Sequence, residues 1–142
     1  MSQLMEGRLA LVLGIANRWS LAYAIAQSFS EQGATLVLTY LGEHQREAIE
    51  ELANGLRTAA VLPCDVTKDE DLAALTESLR ALGRPLHAVV HSLAFANKED
   101  LARPFLETGR AGFLLAQPQP GTVVPRVADG VRPAERQVDQ FY

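Results

Sequence analysis

The sequence is poor in cysteine, lysine and aromatic residues, and it has no long apolar run. Cys64 is the only cysteine among 142 residues. That excludes an intrachain disulfide and fits a reducing compartment. Basic residues number 13 against 17 acidic ones, for a net charge of −4. They form no basic run, so nothing supports a nucleic-acid partner held through phosphate neutralisation. The first apolar stretch, Leu9 to Leu13, is far too short for a signal core or a membrane span. A cytoplasmic protein with no membrane partner is expected. His44, His87 and His91 have no companions at metal-ligand spacing, so no metal site is expected. Internal repeats are also missing. What remains is ordinary for one soluble domain: 48% hydrophobic and 21% charged residues, enough for a small core.

The apolar residues alternate between two patterns. Leu9–Leu13 is a short continuous run stopped by Gly14, as expected of a strand buried on both faces. Leu21, Ala22, Ile25, Ala26 and Phe29 then recur at helical spacing, with Ser20 suited to the N-cap and Gly33 to the stop. Thr35–Thr39 reads as a second strand. Ala48, Ile49, Leu52 and Ala53 give a second helix, ended by Gly55. Ala59–Leu62, closed by Pro63, is a third strand. Leu72, Leu75, Leu79 and Leu82 mark one face of a third helix, stopped by Gly83. Leu86–Val90 is a fourth strand running into His91, and a last helix is expected over Leu101–Ala116. This βαβαβαβα order predicts an α/β fold: a Rossmann-type doubly wound parallel sheet, partial, with about four strands. After Gln117 the pattern fails. Four of the seven prolines fall there, and Val123-Val124 is followed directly by Pro125. The expected domains are therefore a Rossmann half-domain over 1–117 and an irregular tail over 118–142.

A parallel sheet binds ligands outside the carboxyl ends of its strands. After the first strand, Gly14 permits a sharp turn, and the helix beginning near Ser20 offers free N–H groups and a positive dipole end to an anion. The Ser20 hydroxyl can donate to a phosphate oxygen. The loop lacks G-x-G-x-x-G, so an ordinary strand–helix connection capped by serine stands beside that reading. The second strand ends in Thr39-Tyr40-Leu41-Gly42-Glu43. No acid sits directly at the strand end to take both ribose hydroxyls and no arginine sits there for a 2′-phosphate; Arg46 lies further along. This favours NAD(H) over NADP(H). After the third strand, Asp65 could accept from an adenine amino group while Val66 packs on the ring. Capping of the next helix by Asp65 or Thr67 is the compatible bland reading. Cys64 reads as a small buried hydrophobe rather than a nucleophile. His91-Ser92-Leu93-Ala94-Phe95-Ala96 leaves room for a flat ring. His91 could act as an acid or base, but a buried histidine bonded to backbone is the commoner case.

Together these segments resemble one family. The stretches at 14–23, 38–40, 63–67, 91–96 and 107–113 are similar, in order and spacing, to bacterial NADH-dependent enoyl-acyl-carrier-protein reductases, a divergent branch of the short-chain dehydrogenase/reductases. The resemblance covers about Leu9 to Gln117. It implies hydride transfer from NADH to a trans-2-enoyl thioester carried on acyl carrier protein, in fatty acid biosynthesis. It also implies that Gly14, Ser20 and Leu21 meet the pyrophosphate and its neighbouring ribose, that Leu41 lies beside the adenosine ribose, and that Asp65 and Val66 hold the adenine. Leu93 would lie near the nicotinamide-side ribose, and Ala96 would line the substrate site. Gly109 stands where the family pattern leads one to expect serine. Full-length members are homotetramers.

One departure is large. The family's chemistry uses a tyrosine to bond the thioester carbonyl and a lysine seven residues later. Here tyrosine occurs only at 23, 40 and 142, and lysine only at 68 and 98. No catalytic residue is assigned. The chain is expected to end before the catalytic half, to be inactive alone, and to be marginal in stability. The abrupt change at Ala116-Gln117 suggests a shifted reading frame or truncated gene model. A non-catalytic NAD(H)-binding module is the alternative function. A short-chain reductase acting on alcohols or ketones fits the phosphate loop and the 91–96 run less well.

Overall fold

The computed structural model describes residues 3–116 and 118–131. Its centre is β1 (Leu9–Leu13), in which every residue is buried. The continuous apolar run has this effect because both faces of the strand are covered. Four parallel strands lie in the order β3-β2-β1-β4, where β2 is Thr35–Tyr40, β3 is Thr58–Pro63 and β4 is Leu86–His91. The expected α/β Rossmann-type sheet is therefore observed, with β3 and β4 as its half-exposed edges.

Alternation along the strands splits the core into two layers. Ala10, Val12, Leu36, Leu38 and Tyr40 face α1 (Leu21–Glu31) and α2 (Glu43–Ala53), meeting Ala22, Ala26 and Ile49. Leu9, Leu11, Leu13 and Val37 face the other way. They pack on Leu72, Leu75 and Leu79 of α3 (Asp69–Ala81). The leucine spacing of three and four places that stripe on one side of the helix.

Two expectations need correction. The single helix expected over Leu101–Ala116 is broken into α4 (Lys98–Ala102), a 3-10 turn at Phe105–Glu107 and α5 (Arg110–Ala116). Pro104 is the physical reason. It disfavours helical backbone in the residue before it, and Arg103 is extended at φ −97, ψ 160. The second correction concerns the tail. Residues 118–131, expected to be irregular, form α6 (Pro118–Val131). Pro118 occupies the first position, where a missing N–H costs nothing. Val123 and Val127 are fully buried against the α3 layer, and Val131 packs against the same cluster together with Leu86 and Val89. Arg126 pairs with Asp69 at the start of α3. Burial of the three-valine stripe outweighs the interior Pro125. The rest of the expected tail, 132–142, lies outside the described residues.

Candidate functional site

All four strands end on the same rim. The loops that leave them enclose a cleft of about 640 Å³, within the range of roughly 300–1,000 Å³ usual for small-molecule sites. Gly14, Ile15 and Ala16 line it after β1. Thr39, Tyr40 and Leu41 contribute from the end of β2, and Gln45 from α2. Cys64 to Thr67 follow β3, Ser92 to Phe95 follow β4, and Leu115 of α5 closes one side.

Backbone pairing continues into the loops and fixes their positions. The Ser92 N–H donates to the Leu13 carbonyl at 3.0 Å, and the Cys64 N–H to the Tyr40 carbonyl at 3.0 Å. Where the first and fourth loops meet, Gly14 adopts φ +100, and a Cβ there would overlap the Ser92 carbonyl. Only glycine fits both the torsion and the contact.

The first loop is ordered by Asn17. Its side-chain oxygen accepts from the Trp19 N–H at 2.8 Å, and its carbonyl accepts from the Ser20 hydroxyl at 2.7 Å. Ser20 does hold the N-cap position, but its hydroxyl makes no cap bond. The hydroxyl proton is committed to Asn17, so donation to a phosphate would require that bond to break. No side chain caps α1; the Tyr23 N–H donates to the Ser20 carbonyl at 3.1 Å, and the Leu21 and Ala22 N–H groups stay available to an anion.

Asp65 is not a helix cap. Its Oδ1 accepts from the Thr67 N–H at 3.0 Å and from the Thr67 hydroxyl at 2.6 Å. This is a local side-chain turn, and the N-cap position of α3 belongs to Lys68. The Asp65 N–H donates to Asp71 Oδ2 at 2.8 Å. The two bonds from Thr67 hold the Asp65 carboxyl below the usual range, so it is ionised at neutral pH and ready to accept. Cys64 is the opposite case. Burial, with Asp71 and Asp65 close by, pushes its thiol up to about 11. A thiol kept protonated is a poor nucleophile.

The residues singled out from sequence divide into two groups. Gly14, Leu41, Asp65, Val66 and Leu93 all line the one cleft. Ser20 and Leu21 stand at the start of α1, outside the lining, and Leu21 is exposed. Ala96 lies just beyond the Ser92–Phe95 wall and is half-buried. His91 is not among the lining residues; its Nε2 is buried and has no partner among the described residues. No backbone bond among the described residues reaches that nitrogen. His87 is the histidine bonded to backbone, its Nδ1 accepting from the Leu9 N–H at 3.1 Å. No cluster of metal-ligating side chains occurs among the described residues. Sequence reasoning missed Gln45 and Leu115 as cleft residues. For Gln45 the signal was its place one helical turn beyond Leu41.

The sequence model of a family described as enoyl-(acyl carrier protein) reductase matches residues 14–134. The match runs past residue 117, into α6. The enoyl-[acyl-carrier-protein] reductase [NADH] FabI of Bacillus cereus is 44% identical over 117 residues, which is 81% of this chain and 46% of that protein. FabI of Bacillus subtilis is 40% identical over 131 residues, 91% of this chain and 51% of that protein. The crystal structure of the Bacillus cereus reductase with NADP+ and indole naphthyridinone superposes with a TM-score of 0.79 at 41% identity. It covers 91% of this chain, and this chain covers 51% of it. The chain thus spans about half the length of the curated relatives it matches.

Proposed function

The chain belongs to the enoyl-acyl-carrier-protein reductase family, and from that premise we propose that it carries the NADH-binding part of such an enzyme. The observation that carries this reading is the cleft itself. Residues from four strand ends, Gly14, Leu41, Asp65 and Leu93 among them, face one cavity on the rim where α/β sheets bind ligands. The residues present fit a dinucleotide. Gly14 allows close backbone approach, and the uncapped start of α1, with Ser20 and Leu21, would receive the pyrophosphate. Asp65 Oδ2, which has no protein bond among the described residues, would accept from the adenine amino group while Val66 covers the ring. Leu41 would lie beside the adenosine ribose, Leu93 beside the other ribose, and Ala96 on the acyl side. Among the described residues the end of β2 has no free cation, since Arg46 is bound by Glu43 and Glu50. This supports NADH over NADPH.

Bound NADH supplies a hydride, and the acceptor would be a trans-2-enoyl thioester on acyl carrier protein. A second reading has its own support. No tyrosine in the chain is followed seven residues later by lysine, so an oxyanion donor of the family kind is missing. Loss of such a donor typically lowers turnover ~10²–10³-fold. A chain that binds NAD(H) without turning it over fits that fact. No described helix is long and apolar enough to cross a membrane, and with the single cysteine this supports a cytoplasmic setting.

Fluorescence titration with NADH, alongside turnover of a crotonyl thioester, tests both readings. Saturable binding with no turnover is the expected result. Turnover would overturn the non-catalytic reading, and absence of binding would overturn both.

A further inference from the structure

We propose that Gln45 is the polar contact for the adenosine-side ribose, doing from α2 what no residue at the end of β2 can do. The inference rests on reading the cleft as a dinucleotide site. In that reading the ribose hydroxyls lie at the end of the second strand, where Leu41 is apolar and 52% exposed. Of the other side chains there, Thr39 lines the cleft but is only 5% exposed, and Tyr40 and Arg46 are engaged elsewhere. The Tyr40 hydroxyl donates to Glu43 Oε1 at 3.4 Å. Arg46 Nε donates to Glu50 Oε1 at 2.9 Å, and its guanidinium also lies 3.6 Å from Glu43.

Gln45 differs from all of these. It is half-buried and lines the cleft. Its Oε1 accepts from the Leu41 N–H at 3.1 Å, which folds the side chain back over the strand end. That bond also sets the orientation of the amide. With the oxygen turned to the Leu41 N–H, the Nε2 is left with two N–H donors and no protein partner among the described residues. A ribose hydroxyl oxygen is an acceptor of the right kind. The clamp removes side-chain freedom before binding, so less is lost when the ligand arrives. The amide is neutral, and Glu43 stands two residues away, so the arrangement suits a free hydroxyl rather than a phosphate dianion.

The test uses the full chain and compares wild type with Gln45→Met, which keeps the volume and removes the donor. NAD+, 2′-deoxy-NAD+ and 3′-deoxy-NAD+ are titrated calorimetrically. Gln45→Met is expected to weaken NAD+ binding ~3–10-fold, the span of one hydrogen bond. It should leave the affinity for one of the deoxy analogues almost unchanged, because that analogue already lacks the hydroxyl. Circular dichroism of the variant should match wild type. Equal affinity of the variant and wild type for NAD+ would overturn the assignment to Gln45. So would an equal loss for all three ligands, which marks a merely structural role. Failure of wild type to bind NAD+ at all would overturn the dinucleotide reading itself, and the assignment with it.

Discussion

A methyl group at residue 14 has no room. Gly14→Ala would place its Cβ into the Ser92 carbonyl and hold alanine at φ +100. Torsional strain of this kind costs about 1–3 kcal/mol, and relief requires the first and fourth loops to part. Urea unfolding should show that loss, and NADH affinity should fall with it. Cys64 gives a second expectation. With the thiol raised from 9.0 to about 11, its thiolate fraction near neutrality is ~100-fold lower than for an ordinary thiol. Labelling by a thiol-directed reagent at pH 7.5 should therefore be slower by at least that factor in the native chain than in urea. Asp65 titrates in the other direction. Its folded value is depressed, mainly by the Thr67 hydroxyl. The stabilisation is therefore fully present above the unfolded value of ~3.9 and is lost as pH falls through the lower folded value. Thr67→Val should return the Asp65 carboxyl toward its ordinary titration, read by carbon-detected NMR.

Among the elements, α6 is held by docking against its own local preference. Pro125 sits inside it, removing one intrahelical hydrogen bond and crowding the preceding turn. Val123 and Val127 bury themselves completely against the α3 layer. Two opposite expectations follow. Pro125→Ala should stabilise the chain by up to ~3 kcal/mol. Val127→Ala should destabilise it by ~1–2 kcal/mol through lost burial. Urea midpoints and helical ellipticity measure both. The same element shows what was hard to read in the sequence. The spacing of Val123, Val127 and Val131 is helical, but the prolines at 118, 120 and 125 conceal it from any rule based on local preference. Only the waiting face of Leu72, Leu75 and Leu79 makes the stripe meaningful. The four strands were far easier, because an unbroken run such as Leu9–Leu13 has few other ways to bury both of its faces. Pro104 could have been taken as a helix break from sequence, since its effect on Arg103 is local.

For the whole molecule, the candidate site was legible wherever position along the strand decides. Gly14, Asp65 and Leu93 lie at strand ends, and a parallel sheet brings such ends together. Gln45 was not legible, because its role depends on a side chain folding back to the Leu41 N–H. The same parallel arrangement governs stability. Among the described residues the sheet ends at β4, whose residues are mostly half-exposed. Open strand edges of this kind promote association, and the weight-average mass from light scattering should rise with protein concentration. A ligand in the cleft would touch the ends of all four strands, and so would bind the folded sheet and not the unfolded chain. At 100 times its dissociation constant, such a ligand adds about 2.7 kcal/mol to the stability of the folded state. For a chain of this size that is roughly 10 °C in melting temperature. NADH should therefore raise the thermal midpoint in a concentration-dependent way. Gly14→Ala, with the junction of the first and fourth loops forced apart, should lose most of that shift. A midpoint in wild type that ignores saturating NADH would mean that the four strand ends do not share one ligand.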